Sequence, residues 1–552
     1  MPLISFRNRT TPAILFVFVM IIAAYVAGLF VDVTRDASKY AAIAREIYES
    51  GDFINIKVNG EPYLQKPPLL FWLSALSFIV FGISNFAFKL PLLLFTFFGF
   101  YSLYRLGKSM YNRNTGLIAA LILGSSQISF LYNMDIHTDT LMQSCVTFSV
   151  WQLYDFLKTR RSIHCYLGFL GIGLAMLSKG LIGAVVPAFA VLGYLIFTWQ
   201  LEKLKDYRWY LAVLISIFCI LPALVGLFNQ FGWEGIRFFF WSNNAGRLAG
   251  EYTASSRGIL YYVYNLLAFF FPWSLLLFGS LFIESGLLLQ RKLKDRDWFL
   301  FSSITFFFLI ISISRGKLPN YLYVLIPFFS LITAKYIAIA VSGLYQILFQ
   351  RFLKFQNGIS LLLLLLIGIV VFWLYPLSNI WQWILLVVMI LLSVLFYFDH
   401  SRPLVKLLFP SLALTVVLNF FINQHVAPQI FADQASVKAA RTFNQLAAKN
   451  DRLYNYNYFS HELFFYSLKG ASDVGNDLAL FELMKKPGNW VLTTREVKER
   501  MPEDQFPRPE IIPLSHVWIN KLNIRYLNPS TRTASRDTLF LLKSSDLVNV
   551  KR

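Results

Sequence analysis

Cysteine is nearly missing from this chain. Its 552 residues hold three, Cys145, Cys165 and Cys219. Each falls inside an apolar run, so no disulfide framework, metal-ligand spacing or redox role can be built from them. Charge is thin as well: 14% of residues are charged, and acidic residues number 30 against 50 basic ones. In a soluble protein the formal charge of +20 would suggest nucleic acid. Here much of the Lys and Arg sits in short links between apolar runs, which is topology, and no nucleic-acid partner is expected. Internal repeats and low-complexity tracts are also absent, whereas an inverted-repeat transporter would more often show matching halves with broken helices.

What is present is hydrophobicity. Residues are 57% hydrophobic and 17% aromatic, and long apolar runs recur from Pro12 to Phe421. This composition reads as a polytopic α-helical membrane protein. Arg7 and Arg9 hold the N-terminus in the cytoplasm. The run after them is long and lacks a small-residue cleavage site, so it reads as a retained span and not a signal peptide. The run Leu69–Gly82 covers 14 residues, roughly 21 Å of helix against a core of about 30 Å. It is expected to lie in the outer interface. Thirteen spans then follow, at about 12–31, 87–104, 115–134, 140–157, 163–178, 181–199, 209–228, 259–289, 298–313, 321–342, 359–376, 380–397 and 404–424. Under this count every strongly basic link is cytoplasmic and every unusual polar cluster faces outward.

From His425 the composition turns soluble. Gln434–Ala448 is amphipathic, Trp490–Thr493 and Leu539–Leu542 read as strands, and Asp477–Lys485 reads as a helix. A division into a membrane domain, 1–424, and a periplasmic α/β domain, 425–552, is expected.

The longest polar interval of the first two hundred residues is Val31–Pro68. Asp36 opens a short helix, with Tyr40, Ile43, Ala44 and Ile47 on one face and Ser50-Gly51 closing it. Ile54, Ile56 and Val58 alternate with polar residues up to Asn59-Gly60, a hairpin signal. Pro67-Pro68 pre-sets another helix.

Candidate chemical groups all fall on the expected outer face: Asp36 with Lys39 and Tyr40; Gln65-Lys66; Asp135, His137 and Asp139; Lys179; Asn243, Asn244, Arg247 and Arg257; Lys317 and Tyr321. A lipid phosphate arriving from the bilayer needs Lys or Arg, and a carboxylate can orient a hydroxyl or take its proton. Plainer readings exist for each. Asp36 could N-cap its helix and Asp135 or Asp139 could cap the next span. Lys66, Lys179 and Lys317 could snorkel to the interface.

At these residues the chain resembles the lipid-linked-sugar glycosyltransferases of the GT-C class. It is most similar to the bacterial aminoarabinose lipid A transferases and their relatives, the protein O-mannosyltransferases. The resemblance runs through residues 12–340 and is weak in the tail. Its carriers are Asp36-x-x-Lys39-Tyr40-Ala41, Lys66-Pro67, Asp139, Ser178-Lys179-Gly180 and Lys317-Leu318-Pro319-x-Tyr321, in matching order and spacing. The resemblance implies that Asp36 is the catalytic carboxylate and Asp139 the second acidic position. It also implies that Lys66 and Arg247 or Arg257 bind a polyprenyl phosphate, with Lys317 at the cavity rim.

The family's reaction would be an inverting transfer from an undecaprenyl-phosphate sugar, without nucleotide. Its acceptor would be lipid A or a related envelope glycolipid, or alternatively a protein Ser or Thr; a lipid-linked-sugar transporter is the rival outside enzymes. A bacterial inner-membrane monomer with its active site toward the periplasm and its spans among membrane lipids is expected. The family usually carries Asp-Glu at Asp36-Ala37, Arg at Lys39, and Glu at Gln65. Losing two carboxylates weakens the case for a divalent cation and for a cationic amino sugar, and a neutral hexose or pentose becomes easier to accommodate.

Overall fold

The computed structural model describes residues 11–246, 257–343, 345–501, 509–519 and 522–544. Among them, eight helices are long and apolar enough to cross a membrane. A ninth crossing results if Arg113–Ser125 and Gln127–Met134, bent by 51° at Ser126, form one span. Four shorter apolar helices accompany them: Pro12–Gly28, Leu69–Phe81, Ile182–Phe197 and Ser274–Leu289. The chain is thus a mostly helical, multi-pass protein.

Three features of the helices have physical causes. The 140–157 region is a helix, Thr138–Thr159, that is buried along nearly its whole length and rich in Thr, Ser and Gln. It packs against Asn85–Met110, Ser162–Lys179 and Ile182–Phe197. A helix walled in by protein needs no apolar lipid-facing surface. The expected 259–289 span is two helices, Tyr261–Phe269 and Ser274–Leu289, interrupted where Pro272 has no N–H to give. Arg351 and Lys354, read as a link, lie inside the helix Gln346–Ile369.

Close helix contact depends on glycine at two places that matter for the site. A Cβ on Gly107 would come within 2.7 Å of the Gly116 backbone, so Asn85–Met110 and Arg113–Ser125 approach backbone to backbone. A Cβ on Gly226 would meet the Ile54 carbonyl oxygen at 2.0 Å, which seats the polar loop against the helix Tyr207–Phe231. The basic links are themselves knitted by ion pairs: Arg160 and Arg208 both reach Asp206, each at 2.6 Å.

The last membrane helix, Pro403–Phe421, continues without a break through Ile422–Val426 to Phe431. The tail beyond it carries helices and a five-stranded sheet. Its strands are β3 (Arg452–Asn455), β4 (Ser472–Asp473), β5 (Asn489–Thr493), β6 (Glu510–His516) and β7 (Asp537–Lys543), in the order β4-β3-β5-β7-β6. β3 runs parallel to β4 and β5, and β7 antiparallel to β5 and β6. Alternation along β5 sends Trp490 and Leu492 to a core with Phe443, and Val491 to one with Leu480 and Met484. β1 (Lys57–Val58) and β2 (Glu61–Pro62) form the hairpin at Asn59-Gly60, both turn residues having positive φ, as a two-residue type I′ turn requires.

Candidate active site

The polar loop is fastened to the tail at its start. Val33 donates its N–H to the Tyr466 hydroxyl at 2.7 Å, and Arg35 donates its N–H to Glu462 Oε1 at 2.6 Å. Arg35 is in the left-handed region at φ +59, an uncommon conformation for a side-chain-bearing residue that its surroundings must hold. The helix Arg35–Ser50 follows, with Thr34 as its N-cap. Asp36 therefore sits in the first turn and not at the cap, where the helix dipole favours a carboxylate. Arg45, one helix length on, is buried and donates to the carbonyls of Phe464, Phe465 and Ser467.

The Asp36 side chain is 64% exposed, and Lys39 Nζ lies 3.4 Å from its carboxylate. The same ammonium is 3.5 Å from the side-chain Oε1 of Gln65, the residue before Lys66 in the chain. Lys66 lines a small pocket with Tyr63, Pro67, Gly226 and Phe239, between the loop and the helix Tyr207–Phe231. It also lies within electrostatic reach of Asp139.

Asp139 is 1% exposed. Its carboxylate pairs with Lys179 and accepts a hydrogen bond from Asn320 Nδ2 at 2.8 Å. The cap of its helix is His137, not Asp135 or Asp139; His137 and Asp135 pair with each other at 3.3 Å. Lys179 does not snorkel, since it is buried and stands 4.7 Å above the Tyr321 ring. Lys317 is buried too, and donates to its own loop at Ser314 O, 2.6 Å away. Arg257 donates to the Lys317 carbonyl at 2.8 Å and to the Tyr261 hydroxyl at 2.9 Å. Tyr40 is buried against Phe71, so it packs the loop onto the helix Leu69–Phe81.

Contacts thus run from Asp36 through Lys39 to Gln65, which precedes Lys66 in the chain, from Asp139 to Lys179 and Asn320, and from Arg257 to the Lys317 carbonyl. Arg247 and the side chains of Asn243 and Asn244 lie outside the described residues. Among those described, no three His, Cys, Asp or Glu side chains gather as a metal-ligand set.

Sequence reasoning missed Asn320, the unspecified position within Lys317-Leu318-Pro319-x-Tyr321. It also missed the tail residues beside Asp36: a polar cleft lies between Arg35, Asp36 and Lys39 on one side and Tyr458, His461 and Trp518 on the other. Nothing local in the sequence marks a partner more than four hundred residues away.

Comparison with known proteins bears on these residues. A family described as dolichyl-phosphate-mannose-protein mannosyltransferase matches residues 65–225. An undecaprenyl phosphate-alpha-4-amino-4-deoxy-L-arabinose arabinosyl transferase of Proteus mirabilis is 27% identical over 307 residues, 54% of each chain. The corresponding Yersinia pestis transferase is 28% identical over 339 residues, 59% of this chain and 58% of the relative. The chain therefore spans little more than half the length of these curated relatives.

Among solved structures, ArnT from Cupriavidus metallidurans bound to undecaprenyl phosphate superimposes with a TM-score of 0.73 at 16% identity, over 97% of this chain and 98% of that one. The resemblance read from the sequence holds: the chain is similar to the aminoarabinose transferases in its membrane part and shares their fold. The shared fold covers 97% of this chain and so includes most of the tail.

Proposed function

We propose that this chain is an integral membrane glycosyltransferase that moves a sugar from an undecaprenyl-phosphate donor to lipid A or a related envelope glycolipid. The observation that carries the reading is an exposed carboxylate, Asp36, paired with Lys39 on the same loop as Lys66, whose charge reaches the buried Asp139–Lys179 pair. Its organisation would be that of an inner-membrane monomer with thirteen spans in residues 1–424. Helix 69–82 would lie in the interface, and an α/β domain, 425–552, would face the periplasm with the site.

Lys66, with Arg247 or Arg257, holds the donor phosphate and stabilises charge as the bond to the sugar breaks. The bond between the anomeric carbon and the phosphate oxygen breaks, and a bond from that carbon to the acceptor oxygen forms on the opposite face. Polyprenyl phosphate leaves. If the acceptor is a hydroxyl, Asp36 takes its proton; if it is a phosphate oxygen, Asp36 orients it. Asp139 and Lys179 pack with Asn320 and Tyr321 in the segment just after Lys317.

A second reading, transfer to protein Ser or Thr, is supported by the family matched at 65–225. One experiment separates the two. Purified protein receives labelled undecaprenyl-phosphate sugars together with lipid A or an unfolded Ser/Thr-rich protein. Label in lipid A is expected; label in protein alone favours the second reading, and label in neither overturns both.

A further inference from the structure

Two unlike spaces flank the polar loop, and Asp36 lines one of them. On the Lys66 side is a small pocket lined mostly by apolar groups. On the other side is the cleft of about 330 Å³ whose far wall belongs entirely to the tail. Lys39, which also lines the cleft, is within 3.5 Å of both Asp36 and Gln65.

The tail wall is built of ring faces. Tyr458, His516 and Trp518 form a mutually packed aromatic triad with centroids 5.7 Å apart for Tyr458–Trp518, 5.3 Å for Tyr458–His516 and 4.7 Å for His516–Trp518. Trp518 remains 45% exposed even so. His516 is 2% exposed, and the buried Nδ1 atoms of His516 and His461 have no hydrogen-bond partner among the described residues. The charges around the cleft nearly balance: Arg35 and Lys39 against Asp36 and Glu462. The Glu462 carboxylate is committed to the Arg35 N–H and the Ser460 hydroxyl.

We propose that this cleft is the acceptor subsite, and that it takes a sugar ring of the acceptor's head group, stacked on Trp518 with its nucleophilic oxygen toward Asp36. An exposed indole in a polar, nearly charge-neutral cleft suits a ring with one apolar C–H face and a hydroxylated rim. A flexible Ser/Thr peptide would not need such a face. The inference rests on the transferase reading and deepens it by assigning acceptor recognition to the tail.

The test uses the full-length protein in detergent, with purified lipid A as acceptor and labelled undecaprenyl-phosphate sugar as donor. Trp518→Ala and Tyr458→Ala are expected to raise the acceptor KM about tenfold, the size of one aromatic contact. They should leave donor retention and the rate at saturating acceptor near wild type. Trp518→Phe should restore most of the loss.

An unchanged acceptor KM in both Ala variants, with wild-type transfer intact, overturns the subsite but not the transferase reading. A fall in saturated rate that Phe does not rescue assigns these residues to tail packing and also overturns it. Wild-type transfer to a Ser/Thr protein only, or to neither acceptor, overturns the subsite together with the glycolipid reading.

Discussion

The carboxylate of Glu462 accepts the backbone N–H of Arg35 at 2.6 Å, across 427 residues of chain. Arg35 immediately precedes Asp36, so a tail residue sets the geometry of the exposed carboxylate. Glu462→Ala removes a charge-assisted bond worth about 1.5–3 kcal/mol. If half or more of that is expressed in the transition state, transfer falls roughly 4- to 160-fold while labelled donor is still retained. Glu462→Gln, which keeps an acceptor oxygen, should lose less. Equal rates for wild type and Glu462→Ala would show that the tail does not position Asp36.

Asp36 and Lys66 should separate on substitution. Asp36→Asn leaves helix and fold in place and is expected to lower turnover about 100-fold or more, within the range for losing a positioned base. Lys66→Ala should instead weaken donor retention, because a phosphate loses its cation. Donor filter-binding alongside single-turnover transfer reads the two apart. Wild-type turnover by Asp36→Asn rules out its catalytic role.

The Asp139–Lys179 pair is buried on both sides, with side chains 2% and 5% exposed. Lys179→Met strands a buried carboxylate and should cost about 3–5 kcal/mol, read as a large drop in unfolding temperature in detergent. Asp139→Asn combined with Lys179→Met should recover much of it. A Lys179→Met protein as stable as wild type would mean that the pair is not formed.

Burial holds the imidazoles of His461 and His516 down at about 4; Lys39 adds to the effect on His461, whereas Asp36 opposes it there and Asp537 opposes it at His516. Unfolded histidine titrates near 6.5, so the unfolded chain binds more protons between these values. The two neutral rings contribute stability that is fully present above about pH 6.5 and lost as pH falls toward 4. Unfolding temperature should decline over that window, and His516→Phe should make the decline shallower. A flat profile from pH 7 to 4.5 would contradict this.

Topology can be read with single cysteines after Cys145, Cys165 and Cys219 are replaced. A cysteine at Ser472, on an exposed strand, should react with an impermeant maleimide added outside. One at Asn112, also exposed, should react only after the membrane is breached. Outside labelling at Asn112 inverts the scheme.

Legibility in the sequence followed locality. Asn59-Gly60 announced its hairpin because few other pairs accept two positive φ values. The strand expected from Ile54 shrank to Lys57–Val58, because the Asp52 side chain takes the N–H groups of Ile54 and Asn55 at 3.0 and 2.9 Å and bends the chain instead. β5 and β7 were readable as apolar runs, while β6 hid behind Pro513, which an edge strand tolerates. The Thr138–Thr159 helix falls where a span at 140–157 is expected, although its Thr, Ser and Gln make it less apolar than the other crossings. Asp36, Lys66 and Asp139 stood out because charge is rare at the ends of apolar runs. The aromatic wall facing Asp36 could not, since aromatics are ordinary in a soluble core.

The ties from Val33, Arg35 and Arg45 to residues 462–468 carry a consequence for biosynthesis. The loop bearing Asp36 emerges among the first tenth of the chain, yet its partners are made near the end. Until they arrive, Arg35 has nothing to hold its left-handed backbone, and the Arg45 guanidinium lacks the carbonyls it is buried against. The loop is therefore fastened only late in synthesis, when the last hundred residues dock onto the first fifty.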